Sequence, residues 1–233
     1  MENHSTAPEP TEGFRDPTAL TRWTRGFLYA SIATALVRLG SDAANLLGTE
    51  GVGESAGTAF DLFWFLTGVP IWLITAILVL TWIHRANHNA RQLGAAGMHF
   101  TPGWAVGWHF VPIAWFWKPY QAMTEIWRAS RNPADWRDEP VSPLLRWWWI
   151  LWIVPFWGVV IVELTVARTL AAMTGPGLLP FTAPAVASLE AAAAAAGLVY
   201  WILEIPLILV LLAIIGAVHR MQKQHRARWV AVG

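Results

Sequence analysis

Charged side chains stand deep inside stretches that are otherwise apolar, among them Arg38, Asp42, Glu163, Arg168 and Glu204. In hydrocarbon an unpaired charge is costly, about 2.5–3.5 kcal/mol even on a lenient insertion scale. Such groups are expected to face a bundle interior and pair there, Arg38 with Glu163 or Glu204, and Asp42 with Arg168. Ser31, Thr34, Arg38, Asp42 and Asn45 recur at helical spacing and form one polar stripe. From the helical rise, Arg38 lies roughly 14 Å from the outer end of its helix, and Asp42, Glu163 and Glu204 roughly 8–12 Å from theirs. Two kinds of chemistry fit this buried polar layer. One is a structural ion-pair network that fixes helix register. The other is a polar cavity open to the outside, for a small ligand or a proton. There, two carboxylates sharing one arginine leave one carboxyl protonated at neutral pH. Pro155 and Pro206 lie near Glu163 and Glu204. Each frees a backbone carbonyl and permits a kink that widens such a cavity.

A second constellation is histidine-rich. His84, His88 and Arg91 share a helix face at i, i+4 and i+7. His-x-x-x-His is a metal-ligand spacing, and His99, His109 or His219 would be a third ligand. The glutamate of a zinc protease is missing, and there is no cysteine. The residues fit a solvated helix end better, so no metal and no cofactor is expected. Thiol nucleophiles and disulfides are excluded outright. A third group is basic and aromatic. Trp104, Trp108, Trp115, Trp117, Trp147, Trp148 and Trp149 lie in segments shared with Arg128, Arg131, Arg146, Arg220 and Arg226. An aromatic belt anchored by positive charge accounts for them. A specific anionic-lipid pocket, with Arg128, Arg146 and Trp147 as contacts, is the sharper alternative. Nucleic acid is not an expected partner, because the charges are spread over short loops beside apolar runs. No nucleotide loop, nucleophile elbow or kinase set is present, and the chain is not expected to be an enzyme. Gly51–Gly53 and Gly175–Gly177 are Gly-x-Gly matches with no strand before them.

The elements that must position these groups follow from composition. The chain has 233 residues, 55% hydrophobic and only 13% charged, with 17 Trp and a net charge of +1; mean hydropathy is +0.42. A soluble domain carries about 25% charged residues. Four stretches are near the roughly 20 apolar residues that a spanning helix needs: 26–47, 60–83, 147–170 and 196–218. A helix satisfies its own backbone in hydrocarbon, so these are expected to be helices. A fifth stretch, GWAVGWHFVPIAWFW at 103–117, is short, is interrupted by Pro112 and is closed by Lys118-Pro119. Thr101-Pro102 has the form of a helix start, with Thr as cap and Pro in the first turn. A second helix is expected from Pro119, with Tyr120, Met123 and Trp127 on one face.

Charge decides between four and five spans. With four, the outer loops 48–59 and 171–195 hold no Lys or Arg, and the basic residues of the loops and tails lie inside. The expected fold is thus an all-α integral membrane protein. It is a four-span helical bundle with a re-entrant or interfacial helical segment, about 101–130, between spans 2 and 3. The expected organisation is a disordered cytoplasmic tail at 1–21, a helical membrane domain at 22–219 and a basic cytoplasmic tail at 220–233. Both termini would be cytoplasmic, in a multi-pass protein of the cell membrane. The second helix meets no breaker until Gly94, so it should run on past the membrane.

Within Trp82–Ser130 the chain carries Arg85, Asn89 and Arg91, then Thr101-Pro102-Gly103-Trp104. Val111-Pro112, Lys118-Pro119-Tyr120, Met123, Trp127 and Ala129-Ser130 follow. This string resembles the DUF4328 family of bacterial multi-span membrane proteins, from Phe60 to about Leu170. Lys118 fits the basic residue that usually precedes the second proline. His84, His88 and His109 are not part of the pattern. The resemblance implies a multi-span membrane protein and leaves the activity open. Two function classes follow. One is a non-catalytic membrane component binding a protein partner, a second copy or a lipid at its cytoplasmic face. The other is a small transporter or channel using the Arg/Glu layer.

Overall fold

The computed structural model describes residues 13–47, 54–173 and 183–232. Every regular element among them is helical. Four helices are long: α1 (Thr18–Leu46), α2 (Glu54–Gln92), α5 (Pro143–Met173) and α6 (Ala183–Val232). Two are short, α3 (Pro102–Gly107) and α4 (Lys118–Arg131), with single 3₁₀ turns at Trp108–Phe110 and Ala114–Phe116 between them.

Three stretches are long and apolar enough to cross a membrane: Leu62–Gln92, Pro143–Thr169 and Ala194–Ala231. Only 6% of the most apolar window of the first two is buried inside the molecule. Leu62, Phe63, Phe65, Leu66 and Ile77 of α2 all stand exposed. Contiguous apolar surface of that kind is unstable against water and is what a hydrocarbon solvent covers. The long α1 is not one of the three, because Ser31, Thr34, Arg38 and Asp42 dilute its apolar content.

The helix ends follow local rules. Ahead of α1, the Asp16 carboxylate accepts the Thr18 N–H at 3.0 Å and the Thr18 hydroxyl at 2.6 Å. These bonds hold its carboxyl below the ordinary value. Past α2, Gly94 takes φ +101°. The Ala95 N–H reaches the Ala90 carbonyl and the Gly94 N–H reaches that of Arg91, a Schellman closure that a side chain at Gly94 would strain. At α3 the Thr101 hydroxyl accepts the Trp104 N–H at 3.3 Å and Pro102 opens the helix, as their order predicts. Pro70, Pro155 and Pro206 lie inside α2, α5 and α6.

Several boundaries differ from expectation. The tail expected to be disordered over 1–21 is ordered from Gly13, and residues 1–12 lie outside the described residues. The reason is docking: the Asn89 amide accepts the Arg15 N–H at 3.1 Å and donates to the Arg15 carbonyl at 2.8 Å. The basic segment 220–233 is no separate tail, because α6 continues through it to Val232. The expected outer loops 48–59 and 171–195 are shortened by the start of α2, the end of α5 and the start of α6.

The chain divides into two compact units. The first comprises residues 1–28, 73–147 and 210–233. Its core is Trp82, Ile83, Ala86, Ala90 and Leu93 of α2, Ala122, Met123, Ile126 and Ala129 of α4, and Ile214, Ile215 and Val218 of α6. The second comprises residues 29–72 and 148–209. Ala35, Trp148 and Ile208 are its buried apolar residues among those described.

Candidate functional site

In the first unit the buried face of α4 carries one carboxylate. Ala122, Ile126 and Ala129 repeat at helical spacing, and Glu125 falls among them, 4% exposed. A buried carboxylate needs donors, and it takes them from the chain between α2 and α3. Its Oε1 accepts the His99 N–H at 2.6 Å and its Oε2 the Phe100 N–H at 3.0 Å. The His99 Nδ1 lies 3.0 Å from Oε1. The carbonyls of the same segment are held from α2. Arg91 donates to the Met98 and Phe100 carbonyls at 2.9 and 2.8 Å, and to the Asn87 side chain at 3.2 Å. Asn87 also donates to the Phe100 carbonyl at 3.0 Å. The segment is therefore clamped through both its N–H and its C=O groups.

The clamp places the Phe100 ring 5.5 Å below the Lys118 Nζ, which lies equally far from the Trp108 ring. Beside it opens a cavity of about 420 Å³ lined by His99, Phe100, Lys118, Tyr120, Gln121, Thr124, Glu125, Arg128 and Trp136. The Nε of Arg128 and the hydroxyl of Thr124 are buried without a hydrogen-bond partner among the described residues. The Glu125 oxygens are already engaged, so the free polar atoms here are donors on a basic wall. Such an arrangement receives an anion with several acceptor oxygens.

The other residues singled out from the sequence are scattered. Arg85 donates to the Asp16 carbonyl at 3.3 Å. Pro119 is buried in the first turn of α4. Trp104 is exposed and rests 4.9 Å from the Trp108 ring. Pro112 precedes Ile113, whose φ is +69°. Arg146 and Trp147 stand exposed on the first turns of α5 and do not join Arg128 in the cavity. His88 donates to the Gly13 carbonyl, His109 bonds the Val106 carbonyl and His219 meets the Thr21 hydroxyl. No three potential metal ligands converge among the described residues.

In the second unit the polar stripe of α1 faces two cavities. One, about 400 Å³, is lined by Arg38, Asp42, Gly197, Tyr200 and Trp201 among others. The other, about 190 Å³, is lined by Ser31, Thr34, Trp64, Gly68, Val69, Trp72, Tyr200, Trp201 and Glu204. The Trp201 indole N–H donates to Asp42 at 3.0 Å. The Arg38 guanidinium lies 5.1 Å from the Trp64 ring and 5.7 Å from that of Phe60. Oε2 of Glu204 is buried and meets no donor among the described residues, so the expected pairing with Arg38 does not reach this oxygen. The Glu163 side chain lies outside the described residues. Arg168 is exposed and does not belong to the layer. Five residues along a helix turn it by about 140°, away from the Glu163 face. The expected Asp42–Arg168 pair is accordingly replaced by the bond to Trp201.

Sequence reasoning did not single out Glu125, Asn87, Thr124 or Trp136, nor the aromatic group Trp64, Trp72, Tyr200 and Trp201. Glu125 had a signal: a carboxylate at a core position of an amphipathic helix. The aromatic group had none, since Trp is abundant throughout.

The family described as Domain of unknown function (DUF4328) matches over residues 49–206. The match reaches farther in both directions than the motif string. No curated protein matches the chain, and no solved structure does.

Proposed function

The chain belongs to the DUF4328 family, and from that premise we propose that it is a non-catalytic integral membrane protein whose cytoplasmic face binds an anionic lipid headgroup. It crosses the cell membrane of a bacterium four times, with both ends inside. Three apolar stretches support three crossings. For α1, the support is its two-sidedness. Its polar stripe lines cavities, while Tyr29, Leu36 and Val37 are exposed and suited to lipid. Segment 101–130 lies in the interface, which accords with exposed Phe110, Ile113, Phe116 and Trp117 beside a break in helical structure too long to cross hydrocarbon.

One observation carries the binding reading: the cavity that holds Lys118 and Arg128, with Arg128 Nε and the Thr124 hydroxyl free to donate. A phosphodiester offers acceptors to both and charge to Lys118. Purified full-length protein is expected to retain anionic lipid over zwitterionic lipid, as measured by mass spectrometry of extracted lipid. Arg128→Ala and Lys118→Ala should each lower that preference several-fold, whereas the exposed Arg146→Ala should not. Lipid carry-over identical in all four proteins removes the reading.

A second reading, a small transporter or channel, is favoured by the donor-free Oε2 of Glu204 beside a cavity. Its test is proton and small-ion flux in proteoliposomes. Flux in the unaltered protein that a folded Glu204→Gln variant loses supports it.

A further inference from the structure

The smaller cavity of the second unit, from which the transporter reading takes only Glu204, has aromatic walls that neither reading uses. Its walls are the rings of Trp72, Tyr200 and Trp201, with Trp64 alongside, and its one carboxylate is that of Glu204. The rings are set at angles to one another. Trp201 meets Trp64 edge-on with centroids 5.6 Å apart, and meets Tyr200 edge-on at 4.9 Å. Aromatic faces are negative, so rings around a void attract a cation that has shed its water. One carboxylate oxygen without a donor adds the matching charge. The Thr34 hydroxyl donates to the Ser31 carbonyl at 2.9 Å, which leaves its oxygen as an acceptor toward the cavity.

We propose that this aromatic cavity with Glu204 binds a small alkylated ammonium ion carrying a single positive charge.

The composition excludes nearer alternatives. A hard metal ion takes six or more oxygen ligands, and this cavity offers one carboxylate and the three hydroxyls of Ser31, Thr34 and Tyr200. A proton alone has no use for ring faces. An anion would meet Glu204. The volume of about 190 Å³ admits a compact ion and no long chain. Arg38 opposes a second cation, since its guanidinium already lies on the Trp64 ring at 5.1 Å. Asp42 lines the neighbouring cavity together with Arg38, and the rings that Arg38 leaves to a guest are those of Trp72, Tyr200 and Trp201. The repulsion from Arg38 also limits the guest to one charge. Gly68 keeps the void open, because a Cβ there would come within 2.8–2.9 Å of the Trp64 ring. The proposal concerns binding, and holds whether or not the ion is carried across the bilayer.

The test is equilibrium binding of radiolabelled choline to the full chain in detergent or nanodiscs. Two competitors are used: tetramethylammonium, and 3,3-dimethylbutanol, the uncharged shape mimic of choline. Saturable binding displaced by tetramethylammonium and not by the alcohol is expected. Glu204→Gln preserves shape and should weaken binding at least tenfold. Gly68→Ala should do the same by moving the Trp64 ring, and Trp72→Leu removes an aromatic wall without touching the carboxylate. Thermal unfolding of each variant shows that it is folded. If Glu204→Gln does not fold, Trp72→Leu and Gly68→Ala decide. Absence of saturable binding overturns the proposal. So does equal displacement by the alcohol, or unchanged affinity in the folded variants.

Discussion

Glu125 and Asn89 show how much a single buried polar side chain does in this molecule. Removing the Glu125 carboxyl leaves the N–H groups of His99 and Phe100 without their acceptors, and each part-buried donor left without one costs about 1–2 kcal/mol. Glu125→Ala is therefore expected to lower stability by about 2–4 kcal/mol, read from thermal unfolding in detergent. Glu125→Gln keeps an acceptor oxygen and should lose less. A Glu125→Ala variant that melts with the parent would show that the clamp does not hold the segment. Asn89→Ala breaks two bonds to Arg15 and is expected to cost about 1–2 kcal/mol, with faster amide exchange confined to residues 13–17. Arg85, Asn89, Arg91 and Lys118 were legible as a motif, but their partners were not. Those partners are mainly backbone groups, to which a residue pattern is blind.

At the scale of elements, the long helices were legible because hydropathy reports directly on what a helix can be solvated by. Thr101 with Pro102 marked a start and Gly94 an end, each through backbone chemistry that one residue type supplies. The break between α3 and α4 was legible only as a break. Within it, the Ala114 N–H bonds the Pro112 carbonyl at 2.8 Å across Ile113, at φ +69° and ψ −56°. This is a γ-turn of the rare, strained hand. A β-branched residue there is disfavoured by about 1–2 kcal/mol. Ile113→Gly should thus raise stability by about 1 kcal/mol once the added chain entropy of glycine is deducted. Because the Ile113 side chain is 73% exposed, the same change should weaken partition of the 101–130 segment into bilayers. Measurements of unfolding and of peptide partition check the two halves separately. The start of α1 has its own pH dependence. The Asp16 carboxyl is held below its ordinary 3.8 first by the Thr18 hydroxyl and then by the Thr18 N–H. A depressed folded pKa stabilises above the unfolded value and loses that contribution as pH falls through the folded one. The protection of the Thr18 amide, the slowing of its exchange relative to an unstructured peptide at the same pH, should accordingly fall below about pH 4, and in Asp16→Asn this pH step should vanish.

For the molecule as a whole, the charge asymmetry around the apolar helices is the strongest predictor of orientation. Since the chain contains no cysteine, each introduced thiol is unique. Leu47→Cys is expected to react with a membrane-impermeant maleimide in intact cells, and Arg228→Cys only after permeabilisation. Equal labelling of both before permeabilisation would refute the proposed four-crossing topology. The polar layer was legible as a set of residues and illegible as a set of pairs. Helical spacing put Ser31, Thr34, Arg38 and Asp42 on one face, and they line cavities. Which group meets Asp42 depends on how helices far apart in sequence pack, and that partner is an indole instead of an arginine.

The Asn89 side chain imitates a neighbouring β-strand, presenting one acceptor and one donor to the two main-chain groups of Arg15. An amide does both from two separate atoms, whereas aspartate lacks the donor and leucine lacks each. A version of the protein shortened to begin at Pro17, on the view that everything before the first helix is dispensable, would leave this fully enclosed amide facing nothing. Trimming that looks harmless on paper should therefore lower yield and melting temperature, and adding back Arg15 and Asp16 should restore them.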